Sequence, residues 1–211
     1  MDLEHGTFLV RLARASIEHY LKERKPLSQQ QVDAMREKDL GKEKFERGGA
    51  FVTLESHPSK SLRGCIGYPF AVKAVDKAVA ECAVSAAIGD PRFPPLLLEE
   101  LSGTAIEVSV LTEAQEIKVA RAKDFPKHVE IGKDGLIIQH GPFSGLLLPQ
   151  VAPEQLFGPE EFLACLCQKA GLSPDYWLEE VEGKPVVKIS KFQARIFCEE
   201  KPGGKVVEKS D

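Results

Sequence analysis

Leu62-Arg63-Gly64-Cys65-Ile66-Gly67 places one guanidinium, one thiol and two glycines in a short apolar-spaced run. If the segment is extended, Leu62, Gly64 and Ile66 share one face and Arg63 and Cys65 the other. The first set suits a core, so the pattern predicts a half-buried strand that presents Arg63 and Cys65 together. Gly64 and Gly67 leave the backbone beside Cys65 unshielded, open to close approach by a bound group. An Arg next to a thiol favours the thiolate.

Immediately upstream, Gly48-Gly49 punctuates the chain before Ala50-Phe51-Val52-Thr53-Leu54, a short strand. The loop 55–61 returns the chain into 62–66 as a hairpin. Downstream, 71–88 predicts an amphipathic helix with the stripe Val72, Val75, Val79, Cys82 and Ala86. Its many alanines allow a sheet to approach closely, and Cys82 reads as a small core hydrophobe. Gly89-Asp90-Pro91-Arg92-Phe93-Pro94-Pro95 ends that helix, because prolines cannot continue it and Asp90 must be extended before Pro91. In 104–111, Ile106, Val108 and Val110 alternate with Glu107 and Ser109. This strand leaves Glu107 on the face without aliphatics, either solvated or facing a cleft.

Farther out, 3–24 predicts a helix stopped by Pro26, and 25–47 a polar surface connection with a short helix around 30–38. Segments 129–131, 136–140 and 146–148 read as a three-stranded meander, with Asp134-Gly135 as the first turn and Pro149 confining the last strand to an edge. Pro159, Glu160 and Glu161 open a third main helix, and Gly171 fits just past its end. The last strands are 185–190 and 192–199. The charged tail 201–211 is expected to be disordered.

The 211 residues suffice for one substantial core or two small ones, and 43% hydrophobic with 28% charged residues is ordinary for a soluble globular protein. No apolar run approaches the roughly 20 residues of a membrane span, and the N-terminus lacks the pattern of a signal peptide. These features predict a cytoplasmic protein with no membrane association. The odd set Cys65, Cys82, Cys165, Cys167 and Cys198 argues against a disulfide scaffold. A net charge of −4 disfavours nucleic acid as a partner. A local basic window, Lys118, Arg121, Lys123 and Lys127 against Asp124, reads as a solvated face that could still touch phosphate.

No metal and no cofactor is expected, since neither C-x-x-C, H-E-x-x-H nor a phosphate-binding glycine loop occurs. Cys165 and Cys167 fall about 200° apart on a helix and cannot act as a pair. The sharp chemical reading makes Cys65 a nucleophile. It then needs a base within hydrogen-bond reach, and the choices are His140, His57 and Glu107. The plain alternative is a structural thiol, with Arg63 paired to Asp90 or Glu107. Asp90 and Arg92 either fix their turn by a salt bridge or line a cleft. Gln150 either recognises a ligand or caps backbone on an edge strand. Trp177 reads as a core anchor.

Taken in order, Gly49–Leu54 by position, the 62–67 run, Asp90-Pro91-Arg92-Phe93, Glu107-Val108-Ser109-Val110-Leu111, the segments 129–138 and 145–152, and 169–172 with Trp177 resemble the AMMECR-type domain family. The resemblance covers roughly residues 5–200 and is closest to the stand-alone archaeal members. It implies an α+β fold of mixed and antiparallel sheets, with about three main helices and two intertwined subdomains in one domain over 1–200. The 62–67 run corresponds to the family's hallmark and its usual candidate site. The residue chemistry adds Arg63, Gly64, Gly67, Asp90, Arg92 and Gln150 as candidate substrate- or partner-binding residues. The substrate would be a small or acidic molecule. Related bacterial proteins occur with a Memo-like protein and a radical-SAM protein, which implies a protein partner as the alternative. Phe157 stands where the family usually has Trp.

Overall fold

A computed structural model describes residues 1–209. The chain runs α1 (Leu3–Glu23), α2 (Gln29–Leu40), β1 (Ala50–Ser56), β2 (Ser61–Tyr68), α3 (Val75–Ile88), β3 (Thr104–Leu111) and β4 (Gln115–Glu116). It continues through β5 (Gly135–His140), β6 (Phe143–Leu147), α4 (Val151–Glu154), α5 (Pro159–Lys169), β7 (Glu180–Val181), β8 (Lys184–Pro185), β9 (Lys188–Phe192), β10 (Ala194–Glu199) and β11 (Val206–Lys209). The class is α+β, and the described residues divide into two compact units, one of 1–111 with 195–209, the other of 112–194.

The first unit holds a five-stranded sheet in the order β11-β10-β3-β1-β2, with β1 antiparallel to both β2 and β3. One face is apolar because Ala50, Val52 and Leu54 alternate in register with Ile106, Val108 and Val110. These side chains are buried with Leu9, Leu12 and Ile17 of α1 and Val79, Cys82, Ala83 and Ala86 of α3. Asp2 starts α1 by accepting from the backbone N–H groups of Glu4 and His5, and Arg24 ends it in the left-handed conformation, two residues before Pro26. Ser28 and Gln31 form a capping box that starts α2.

The helix expected from residue 71 begins at Val75 instead. The N–H of Gly48 donates to the Lys73 carbonyl and that of Val75 to the Glu46 carbonyl, so residues 73–75 are already committed to pairing with 46–48. Val72 is therefore exposed rather than part of the helix stripe.

The C-terminal segment also differs from expectation. Residues 206–209 are a strand, not a disordered tail, and they pair antiparallel with β10. The N–H of Gly204 donates to the Lys201 carbonyl and that of Glu200 to the Lys205 carbonyl, so Pro202-Gly203-Gly204 makes a hairpin turn, with Gly203 at φ +66°. Val206 then joins the core. Residues 210 and 211 of the same expectation lie outside the described residues.

The second unit holds a four-stranded sheet in the order β4-β9-β5-β6, antiparallel throughout. The meander read over 129–148 keeps its β5–β6 hairpin but not its first strand. Residues 130–134 form a turn in which Asp134 accepts the Glu130 N–H, and β9 takes the place beside β5. Phe162, Leu163, Leu166 and Cys167 of α5 close this core with Leu136, Ile138 and Trp177, and Phe157 packs at its margin. Gly171, at φ +79°, sits just beyond the helix end as expected. Within this unit, the first and last segments are tied together. The Thr112 N–H donates to the Gln193 carbonyl, and the Gln193 N–H donates to Thr112 Oγ1, both at 2.8 Å.

Candidate functional site

β2 is one edge of the five-stranded sheet, and its register explains what each residue of 62–67 does. Leu54 pairs with Gly64, but Glu55 pairs with Leu62, so Arg63 is an extra residue in a β-bulge. The inserted residue reverses the alternation beyond it. Leu62 is thereby turned from the core face to the outer face, where it is 42% exposed. Gly64 faces α3, where a methyl group would collide with the Ala86 carbonyl oxygen. Its absence of side chain lets the helix lie close against the strand. Gly67 serves a similar purpose on the other face, beneath the Phe51 ring.

The bulge also separates the two groups that the alternation had placed together. The Arg63 guanidinium embraces Glu100, with Nε and Nη2 at 3.1 and 3.2 Å, and Nη1 donates to the Pro94 carbonyl at 2.9 Å. It pairs with neither Asp90 nor Glu107. This contact holds the Glu100 carboxyl below its usual range, and Glu100 also accepts the Leu97 N–H.

Cys65 is served by a different arginine. Its N–H donates to Asp90 Oδ2 at 2.8 Å, and Arg92 Nη2 donates to its carbonyl at 3.4 Å. Arg92 binds Asp90 with Nε and Nη2 at 3.0 and 2.7 Å, and its N–H completes the set at 3.1 Å. The Asp90 carboxylate is buried and the Arg92 guanidinium largely exposed. The Arg92 bond, aided by the two N–H donors, outweighs burial and holds the Asp90 carboxyl far below the ordinary carboxylate range. Asp90 and Arg92 thus occupy the outward hydrogen-bonding groups of an edge strand at one residue, which closes that position to pairing.

On the outer face the Cys65 thiol accepts from Thr53 Oγ1 at 3.3 Å. Thr53 lies directly opposite Cys65 on one side and Glu107 on the other, so the three form a row across β2, β1 and β3. Burial pushes the Cys65 thiol up, and the opposing influences of Thr53 and Arg92 do not reverse it. Glu107 is buried and ion-paired with Lys209 of β11, and Thr53 stands between it and the sulfur. Glu55, Cys198 and Lys209 complete this polar surface. Burial raises the Glu55 carboxyl, the Lys209 charge opposes the rise and the Glu107 charge adds to it.

The other two sequence-predicted residues belong to the second unit. His140 is held at both nitrogens, Nδ1 3.1 Å from the Val186 carbonyl and Nε2 3.0 Å from the Tyr176 hydroxyl. Gln150 is not on an edge strand; it precedes α4, and its carbonyl accepts the Glu154 N–H. Among the described residues, no group of three or more His, Cys, Asp and Glu side chains is placed to hold a metal ion, and no helix is long and apolar enough to cross a membrane.

Sequence reasoning missed Thr53, Glu55, Glu100 and Lys209. Thr53 and Glu55 carry a signal, polar residues at alternate positions of a strand whose other positions are Val52 and Leu54. Glu100 and Lys209 carry none, because tertiary folding alone brings them to Arg63 and Glu107.

The family model described as AMMECR1 matches residues 10–197. Protein MJ0810 of Methanocaldococcus jannaschii is 47% identical over 209 residues, which cover 99% of this chain and 97% of that protein. Protein PYRAB00100 of Pyrococcus abyssi is 47% identical over 98% of this chain and 96% of its own length. The crystal structure of PH0010 from Pyrococcus horikoshii is similar at a TM-score of 0.84 and 44% identity, covering 98% of this chain and 97% of that one.

Proposed function

The chain belongs to the AMMECR1 family, and we propose that it works by docking a partner protein at the β2 rim of its five-stranded sheet. Exposed leucines beside a satisfied ion pair carry this reading. Leu62, Leu97 and Leu98 are 42%, 60% and 39% exposed around the Arg63–Glu100 contact. Apolar side chains held out by a bulge and a rigid turn suit an interface core with a polar rim. The partners implied by the family resemblance are a Memo-like protein and a radical-SAM protein. The same reading places the protein in the cytoplasm, where its five free thiols stay reduced.

The thiol-dependent reading has one observation in its favour. Thr53 and Arg92 both act to lower the Cys65 pKa. Its candidate bases are engaged or set apart, Glu107 held by Lys209, His140 by Tyr176 and Val186, and His57 in the turn beyond β1, four residues past the Thr53 that faces Cys65. The discriminating experiment measures binding of the purified Memo-like and radical-SAM proteins from the same genome to wild type, to L62D/L97D and to C65S. The docking reading expects binding that is lost in L62D/L97D and kept in C65S. Binding unchanged in L62D/L97D, or absent in wild type, overturns it.

A further inference from the structure

The four-stranded sheet of the second unit ends at β6, Phe143-Ser144-Gly145-Leu146-Leu147, and this edge is unlike the other edges of the two larger sheets. The β2 edge is occupied at Cys65 by Asp90 and Arg92. β4 has two residues, and β11 has four, ending in Glu208 and Lys209. Short length, charge and covering groups are the means by which proteins keep a sheet edge from pairing. β6 has five residues with no charge and no proline among them, and Phe143 and Ser144 are exposed.

Its outward main chain is left unpaired. Gly141-Pro142 makes a two-residue turn, so His140 and Phe143 are the first bonded pair of the hairpin and bonding alternates from there. Gly145 and Leu147 then bond inward to β5, whereas Ser144 and Leu146 turn their N–H and C=O groups away from it. Those groups have no main-chain or side-chain partner among the described residues.

The helix on this strand decides what can pair with it. α5 lies on β6 itself: a methyl group on Gly145 would meet the Ala170 nitrogen and the Leu166 carbonyl oxygen. A second copy pairing edge to edge about a two-fold axis would set its own α5 on the same face, one strand spacing away, about 4.8 Å. A helix with its side chains is about 10 Å across, so the two would collide. A single extended segment fits where a second copy does not. Phe143 and Leu147 share the face of Gly145, toward α5, so side chains that the segment places there meet an apolar surface.

We propose that β6 is a docking edge for an extended, uncharged segment of a partner protein, added antiparallel as a fifth strand with apolar side chains on the α5 side. The segment bonds through its main chain to Ser144 and Leu146 and packs its apolar side against the Phe143 ring. The edge belongs to the second unit, and the proposal does not depend on docking at the β2 rim.

The probe is a short blocked peptide of alternating threonine and valine, added to the full chain. With its valines toward α5, its threonines stand opposite Ser144 and Leu146 and exchange main-chain bonds with them. Hydrogen exchange at the Ser144 and Leu146 amides, read by nitrogen-15 NMR, is expected to slow as the peptide is added. N-methylation of the threonine amides should weaken binding roughly tenfold or more, and N-methylation of the valine amides, which face solvent, should leave it nearly unchanged. Ser144→Pro removes one outward donor without breaking a bond to β5 and should weaken binding likewise. No slowing at Ser144 and Leu146 with millimolar peptide, or the same affinity for both methylated forms, overturns the proposal. So does a wild-type dimer in sedimentation that Ser144→Pro dissolves, because it would give the edge to a second copy.

Discussion

Cys65 donates its backbone N–H to the Asp90 carboxylate, 2.8 Å away. The link joins the exposed edge of a sheet to the turn that follows α3, so the two meet through main chain and carboxylate rather than through the thiol. Replacing Asp90 with Ala leaves that N–H without its partner and frees Arg92. The expected loss is about 1–3 kcal/mol in urea unfolding at neutral pH.

The same contact sets an acid limit. The Asp90 carboxyl sits below its ordinary value of 3.8 in the fold, mainly through Arg92. A depressed folded-state pKa adds stability that is fully present above the unfolded value and is lost as pH falls from there toward the folded one. Asp90→Asn should therefore flatten the decline of unfolding free energy below about pH 4, the ordinary carboxylate range. A decline as steep as in wild type would show that other carboxylates carry it.

Gly64→Ala should be costly although it adds one methyl group. The new carbon meets the Ala86 carbonyl oxygen, which is backbone and cannot rotate away. Relief requires α3 to move off β2, with an expected loss of about 1–3 kcal/mol in denaturant unfolding.

Deleting residues 206–211 should lower the melting temperature measurably. It removes the burial of Val206, worth about 1.5–3 kcal/mol, and takes Lys209 from the buried Glu107. A deletion that melts like wild type would mean that β10 is stable without β11.

The cysteines should differ in alkylation. Burial raises the Cys82 thiol to about 12 and the Cys167 thiol to about 11, and it raises Cys65 above its ordinary 9.0. Iodoacetamide at pH 8 should leave Cys82 and Cys167 unmodified in the native protein. The rate at Cys65, followed by peptide mass mapping, should climb only at pH above 9. A midpoint well below that would restore the thiolate reading.

Local periodicity was enough to place α1, β3, the β1–β2 hairpin and α5, because alternating or three-to-four spacing reflects which face is buried. Periodicity placed Cys65 in a strand and the prolines placed Asp90 and Arg92 in the turn after the helix, but folding alone joins that turn to Cys65. It misplaced Leu62 and Arg63 because a single inserted residue reverses facing, and nothing in the run 62–67 marks the bulge. It placed a helix start at Ala71 because the pairing of 73–75 with 46–48 is not local. It read 206–209 as free tail because Val206-Val207 is too short to signal a strand until β10 offers an edge.

The pair Thr112 and Gln193 has a consequence for how the chain reaches its fold. β10 and β11 cannot join β3 until residues 112–194 have been made, and closing so long a loop costs roughly 4 kcal/mol of entropy if the loop is slack. The mutual hydrogen bonds of Thr112 and Gln193 hold the two ends of that stretch side by side once it has folded. The inserted unit then acts as a clasp, delivering the last strands to a sheet that would otherwise wait for them by chance.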